Sequence, residues 1–101
     1  MKVIIQSVNF NADQDLIDFV ERKVSTLEKY YDKVVDSEVY LKVQQTSEKE
    51  NKIIEVKINI PGNDFIVKKV CKTFEEGISL AVDSLKRQLN RRKEKQRAHH
   101  V

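Results

Sequence analysis

Seven basic side chains, Lys86, Arg87, Arg91, Arg92, Lys93, Lys95 and Arg97, fall within residues 86–97 beside a single acid, Glu94. Seven positive charges and one negative give this segment +6 in a chain whose formal net charge is +3, so the other residues sum to −3. Guanidinium and ammonium groups gathered in this way neutralise phosphates and release the counterions around them, which gives salt-dependent binding to nucleic acid. The helix macrodipole offers a competing explanation, because it favours cations near a helix C-terminus by about 0.3–1 kcal/mol each. That accounts for one or two such residues and not for seven. Residues 86–97 are therefore expected to act as a basic arm that captures an anionic partner.

Catalytic chemistry has no comparable footing. His99 and His100 stand next to the end of the sequence, where chains are usually frayed, so neither a general base nor a structured metal site is expected there. The two glycines, Gly62 and Gly77, lack the neighbours of a phosphate-binding loop. Cys71 is the single cysteine, which excludes an internal disulfide and a thiolate cluster for zinc; it reads as a small buried hydrophobe. Neither an enzyme nor a cofactor or metal is expected.

The elements that must position the arm follow from hydrophobic periodicity. At 101 residues, with 40% hydrophobic and 35% charged side chains, the chain has the size and composition of one globular domain. No apolar run approaches the ~20 residues that span a bilayer, and Met1-Lys2-Val3-Ile4-Ile5-Gln6 is too short for a signal-peptide core. A cytoplasmic protein is expected, with one domain over residues 1–97 and a disordered tail at 98–101. Residues 3–7 form a β-branched run, followed by turn and N-cap candidates from Asn9 to Asp13. Leu16, Val20, Val24, Leu27 and Tyr31 recur at spacings of three and four, the mark of an amphipathic helix that starts at Asn11 or Asp13 and ends near Tyr31. Val39, Leu41 and Val43 alternate with polar residues, as do Ile54, Val56, Ile58 and Ile60, giving two half-buried strands joined by a polar loop at 46–52. Pro61, Gly62, Asn63 and Asp64 read as a turn, and residues 65–70 as a fourth strand. Phe74, Ile78, Ala81, Val82, Leu85 and Leu89 open a second helix.

The order predicts an α+β fold, β-α-β-β-β-α, with a four-stranded mixed sheet and both helices packed on one face. The first two strands would be parallel, joined by a right-handed crossover. The other face would turn Tyr40, Lys42, Gln44, Glu55, Lys57 and Asn59 to water. At 100° per residue, Arg92 falls on the face of Phe74, Leu85 and Leu89, where the next core residue should stand. The helix is therefore expected to outrun the sheet and present basic groups all round, with Lys86, Lys93 and Arg97 on one flank and Arg87 and Arg91 on another. Arg22, Lys23 and Lys29 on the first helix extend this surface, unless they pair locally with Glu21 and Glu28.

Elimination narrows the mode of recognition. RNA-recognition sheets stack bases on exposed aromatics, and the water-facing strands here offer only Tyr40. The Gly-X-X-Gly clamp of a KH domain is missing, and the start of the second helix, residues 73–76, is acidic where a double-stranded-RNA-binding domain is basic. Electrostatic recognition of a folded RNA's shape remains.

Leu27-Glu28-Lys29-Tyr30-Tyr31-Asp32 and Ser84-Leu85-Lys86-Arg87-Gln88-Leu89, set in this order of elements, resemble the short bacterial hibernation promoting factors and the ribosome-associated inhibitor. The resemblance covers residues 3–95. It implies binding to the small ribosomal subunit between head and body, in the channel of messenger RNA and transfer RNA, and inhibition of translation by occlusion under stress or in stationary phase. It also implies ribosomal-RNA contacts at Lys23, Lys29, Arg87, Arg91 and Lys93. With the charge reading, the candidate rRNA-binding set is Arg22, Lys23, Lys29, Lys86, Arg87, Arg91, Arg92 and Lys93. Ser79 and Ser84 depart from the family, which often has an acid and a lysine there. The implied partners are the small subunit, the whole ribosome and a separate ribosome modulation factor, with the chain itself a monomer and no membrane involved. Two other readings stay open on the residues alone: a general RNA-binding or RNA-chaperone module, and a protein-interaction module that uses the exposed sheet.

Overall fold

The computed structural model describes residues 1–98, with side chains as far as Glu94. The chain forms β1 (Lys2–Val8), α1 (Gln14–Tyr30), β2 (Asp36–Val43), β3 (Lys52–Ile60), β4 (Asn63–Cys71) and α2 (Phe74–Ala98). The sheet order is β1-β2-β3-β4, parallel between β1 and β2 and antiparallel at the other two pairings. The expected β-α-β-β-β-α order and mixed sheet are thus what the chain builds.

Strand direction fixes the helices. Because β1, β2 and β4 run one way, α1 after β1 and α2 after β4 both return the other way, side by side and parallel. Both N-termini lie at one end of the sheet and both helices run toward the other. Each start is capped. The Leu16 amide donates to Asp13 Oδ1 at 2.8 Å, and the Glu76 amide donates to Thr73 Oγ1 at 3.2 Å, so two otherwise orphaned donors are satisfied. Acids occupy both first turns, Asp15 in α1 and Glu75 and Glu76 in α2, complementing the positive helix ends.

The core lies between this helix layer and one sheet face. Leu27, Leu41, Ile54, Ile58, Ile78, Leu85 and Leu89 are fully buried, and each side chain of this size stabilises by roughly 1.5–3 kcal/mol on burial. Gly77 sets how close α2 comes to β3: a Cβ there would stand 2.7 Å from Ile54 Cγ1. A methyl fits only if Ile54 shifts or the helix moves away.

Several boundaries differ from the sequence reading, β1 by a residue at each end and β4 by one at its C-terminal end. Lys52 belongs to β3 because it pairs with Val43 on one side and Cys71 on the other. Asn63 and Asp64 belong to β4, so the turn shrinks to Pro61 and Gly62, with Gly62 at φ +79° in the left-handed region that glycine tolerates. Ladder hydrogen bonds come from the backbone, so polar side chains did not mark these strand ends. Helix α2 includes Ala98, the first residue of the expected tail, and residues 99–101 of that tail, with His99 and His100, lie outside the described residues.

The open face carries cross-strand rows Ile4–Glu38–Lys57–Ile66 and Gln6–Tyr40–Glu55–Lys68. Lys57 sits between two acids, 3.7 Å from Glu38 and 3.5 Å from Asp64. Charge on this face is largely self-compensated. The expected water-facing residues Tyr40, Lys42, Glu55, Lys57 and Asn59 do lie here, half-buried, while Gln44 falls beyond the end of β2. Ile4, Ile66 and Val70, also on this face, are exposed.

Candidate nucleic-acid interface

The parallel helices bring α1's C-terminal end against the basic half of α2. Lys93 Nζ donates to the Tyr30 carbonyl at 3.0 Å, satisfying an acceptor in the last turn of α1, and stands 5.8 Å from the Tyr30 ring centroid. Lys86 lies seven residues before Lys93 and Lys23 seven before Tyr30, so each shares a helix face with a member of this contact. Lys23, Lys86 and Lys93 are all half-buried. They form a lysine crease between the helices, with Tyr30 as its aromatic end.

Arg87 and Arg91 form a second feature, an exposed ridge on the outer side of α2. Lys29, in the last turn of α1, is exposed as well. Arg22 and Lys23 both approach the Phe19 ring, at 5.8 and 5.9 Å from its centroid. The local pairing of α1's cations with Glu21 and Glu28 does not form among the described residues; Glu28 instead accepts from the Met1 amino group at 2.9 Å. The described ion pairs involve none of the eight candidate residues. Their charges are therefore available to a polyanion without a competing carboxylate to displace.

Arg92 departs from the expectation that α2 presents basic groups all round. It is half-buried, turned toward the β3–β4 hairpin, and borders the same notch as Asn63 and Phe65. The apolar stripe therefore continues at position 92 through the arginine's methylene stem, which can cover apolar surface while its head stays polar. The eight candidates thus divide: Lys23, Lys86 and Lys93 in the crease, Arg87 and Arg91 on the ridge, Lys29 and Arg22 on α1, and Arg92 toward the sheet. Sequence reasoning did not place Tyr30 in this surface. The register of the first helix carried the signal: Tyr31 extends the spacing of Leu16, Val20, Val24 and Leu27 and is buried as the C-cap residue, while Tyr30, the last helical residue, lies off that spacing and is exposed.

Cys71 plays no part in this surface. Burial pushes its thiol pKa up, Glu76 and Glu50 push it the same way, and Lys69 opposes them. It stays a protonated, unreactive core group.

A two-layer α+β domain whose cations, unpaired among the described residues, gather where two parallel helices run together has the make-up of an anion-binding domain. The chain matches, over residues 3–97, the family described as "Sigma 54 modulation protein / S30EA ribosomal protein", and it belongs to that family. It is 30% identical over 98 residues to a protein of Pseudomonas putida named ribosome hibernation promoting factor, an alignment that covers 97% of this chain and 92% of the relative. It is 32% identical to the ribosome hibernation promotion factor of Bacillus subtilis, covering 94% of this chain and 50% of that longer protein. Among solved structures, a ribosomal subunit interface protein from Coxiella burnetii superposes with a TM-score of 0.80 at 16% identity, over 93% of this chain and 99% of the other. The N-terminal domain of Thermus thermophilus Protein Y gives 0.76 at 26% identity, over 90% and 98%.

Proposed function

We propose that this protein is a ribosome hibernation factor that binds the small ribosomal subunit in its mRNA and tRNA channel and inhibits translation by occupying it. The observation that carries the reading is the run of unpaired cations where the two helices meet, the Lys23, Lys86 and Lys93 crease beside the Arg87 and Arg91 ridge. A crease between the helices and a ridge on the outer side of α2 can engage two segments of a folded RNA, and the self-compensated sheet face leaves them as the main anion-binding surface. Family membership and relatives named as hibernation promoting factors favour ribosomal RNA as that polyanion. The protein would act as a cytoplasmic monomer, under stress or in stationary phase, with no chemical step.

Sedimentation of stationary-phase extracts tests this reading. The protein is expected to travel with small subunits and whole ribosomes and to leave them as salt rises. Recovery only with free RNA would favour a general RNA-binding role instead. Chemical protection of ribosomal RNA would then locate the site, with protected nucleotides expected to line the channel.

A further inference from the structure

On the side of α2 away from the lysine crease, Asn63, Phe65, Gln88, Arg91 and Arg92 line a notch of about 270 Å³ between the helix and the β3–β4 hairpin. Its composition differs from the rest of the basic surface. Phe65 is half-buried and brings the only aromatic ring among the lining residues. Arg91 and Arg92 have no carboxylate partner among the described residues, since the nearby Asp64 pairs with Lys57 on the opposite sheet face. Arg92 Nε is buried and lacks a hydrogen-bond acceptor. A donor held out of water without a partner is unfavourable, so a shift of this side chain toward an acceptor bound in the notch would remove a penalty. Asn63 spends its side-chain oxygen on the Asp64 amide at 2.8 Å, which leaves its amide hydrogens for another acceptor. Gln88 adds a further amide that can both donate and accept.

An aromatic ring, two unpaired guanidinium groups and two amides are complementary to the three parts of a nucleotide. The ring matches the face of a base, the guanidinium groups match its phosphate, and the amides match the base's hydrogen-bonding edge. Its volume is on the scale of one nucleotide, and a base inside a duplex has its faces covered by stacked neighbours, so only an unstacked, unpaired base could lie against the ring. We propose that it takes a single unpaired nucleotide of ribosomal RNA, with the base against Phe65 and the phosphate held by Arg91 and Arg92. This rests on the ribosome-binding reading and deepens it, adding a base contact to a surface that otherwise only neutralises phosphate.

Phe65→Leu keeps an apolar side chain at the core margin and removes the flat ring; Gln88→Ala removes an amide from a helix that accepts alanine. Each full-length variant is assayed for small-subunit affinity across a range of salt, beside its melting temperature. The expected result is roughly tenfold weaker binding at every salt concentration, the scale of one lost base stack, with the salt slope of the parent protein. Binding of both variants within about twofold of the parent, at unchanged melting temperature, overturns the proposal. A second measurement stands free of the ribosome. A short single-stranded RNA carrying 2-aminopurine should lose fluorescence on binding the parent protein, and both F65L and pairing the strand into a duplex should abolish the loss. Equal quenching by parent and F65L overturns the notch. Displacement of the strand by micromolar adenosine monophosphate would make a free nucleotide the ligand and overturn the ribosomal source. Failure of the parent protein to bind ribosomes, with quenching intact, would overturn the ribosomal reading and leave the notch as a nucleotide site.

Discussion

The two halves of α2 use one backbone for opposite ends. From Phe74 to Leu89 the helix buries Phe74, Ile78, Ala81, Val82, Leu85 and Leu89, begins on a threonine cap with two acids in its first turn, and comes so close to β3 that a methyl at position 77 would meet Ile54. From Lys86 to Glu94 basic side chains first alternate with the apolar ones and then replace them, and they meet a second helix end, a hairpin and solvent. The first half is specified by shape, where each atom has a neighbour and small changes in volume matter. The second is specified by charge, where position along the helix matters less than the absence of competing acids. Stability and binding should therefore respond to different substitutions along a single element.

Leu85→Ala or Leu89→Ala is the most severe way to test the division. Each should lower unfolding free energy by about 2–5 kcal/mol in denaturant titration, with ribosome binding lost only as the unfolded population grows. Next in size, Arg87→Glu combined with Arg91→Glu should weaken ribosome binding by about a hundredfold or more at moderate salt, because two neutralising contacts become repulsions. Its melting temperature should stay within about 2 °C of the parent, as both side chains are exposed and off the core. A large drop in melting temperature would show that the ridge belongs to the fold after all. Gly77→Ala should destabilise by about 1–3 kcal/mol because the added methyl meets Ile54. A stabilising result, as helix propensity alone would give, would mean that β3 yields easily and the first half is less tightly specified.

Lys93→Met straddles both halves of the comparison. Loss of its bond to the Tyr30 carbonyl should reduce stability by about half a kcal/mol at low salt, an effect that fades as salt rises. Smallest in energy is Cys71, near the start of α2. Its raised pKa means that the fold favours the protonated thiol: that contribution is complete below the unfolded value of about 8.5 and is lost as pH rises through the higher folded pKa. Alkylation by iodoacetamide at pH 8 should be slow in the folded protein and fast in denaturant, as mass spectrometry would show.

Most of the fold was legible because one rule governs it. Spacings of three and four along Leu16 to Tyr31 and along Phe74 to Leu89, and of two along Val39 to Val43 and Ile54 to Ile60, record which side chains meet the core, and the core is where they went. Charge segregation likewise marked the arm, since net charge is additive along a sequence. The arm's inner organisation was not legible. Lys93 meets Tyr30, 63 positions away, only because two parallel helices run to the same end of the sheet. Arg92 was read as evidence that the core stripe had stopped, whereas its stem extends the stripe and its head borders the hairpin notch. No periodicity distinguishes a basic residue that continues a core from one that leaves it.

Parallel helices also arrange charge over the whole molecule, whose longest dimension is 53 Å. Acidic first turns stand at the end where both helices begin, and the basic half of α2 extends the other way. A body of that shape, with opposite charge toward its two ends, experiences a torque as well as an attraction in the field of a polyanion. It would turn before it touches, and arrive arm first. The parent protein's association rate should then fall more steeply with ionic strength than its modest net charge implies, because orientation is lost along with attraction.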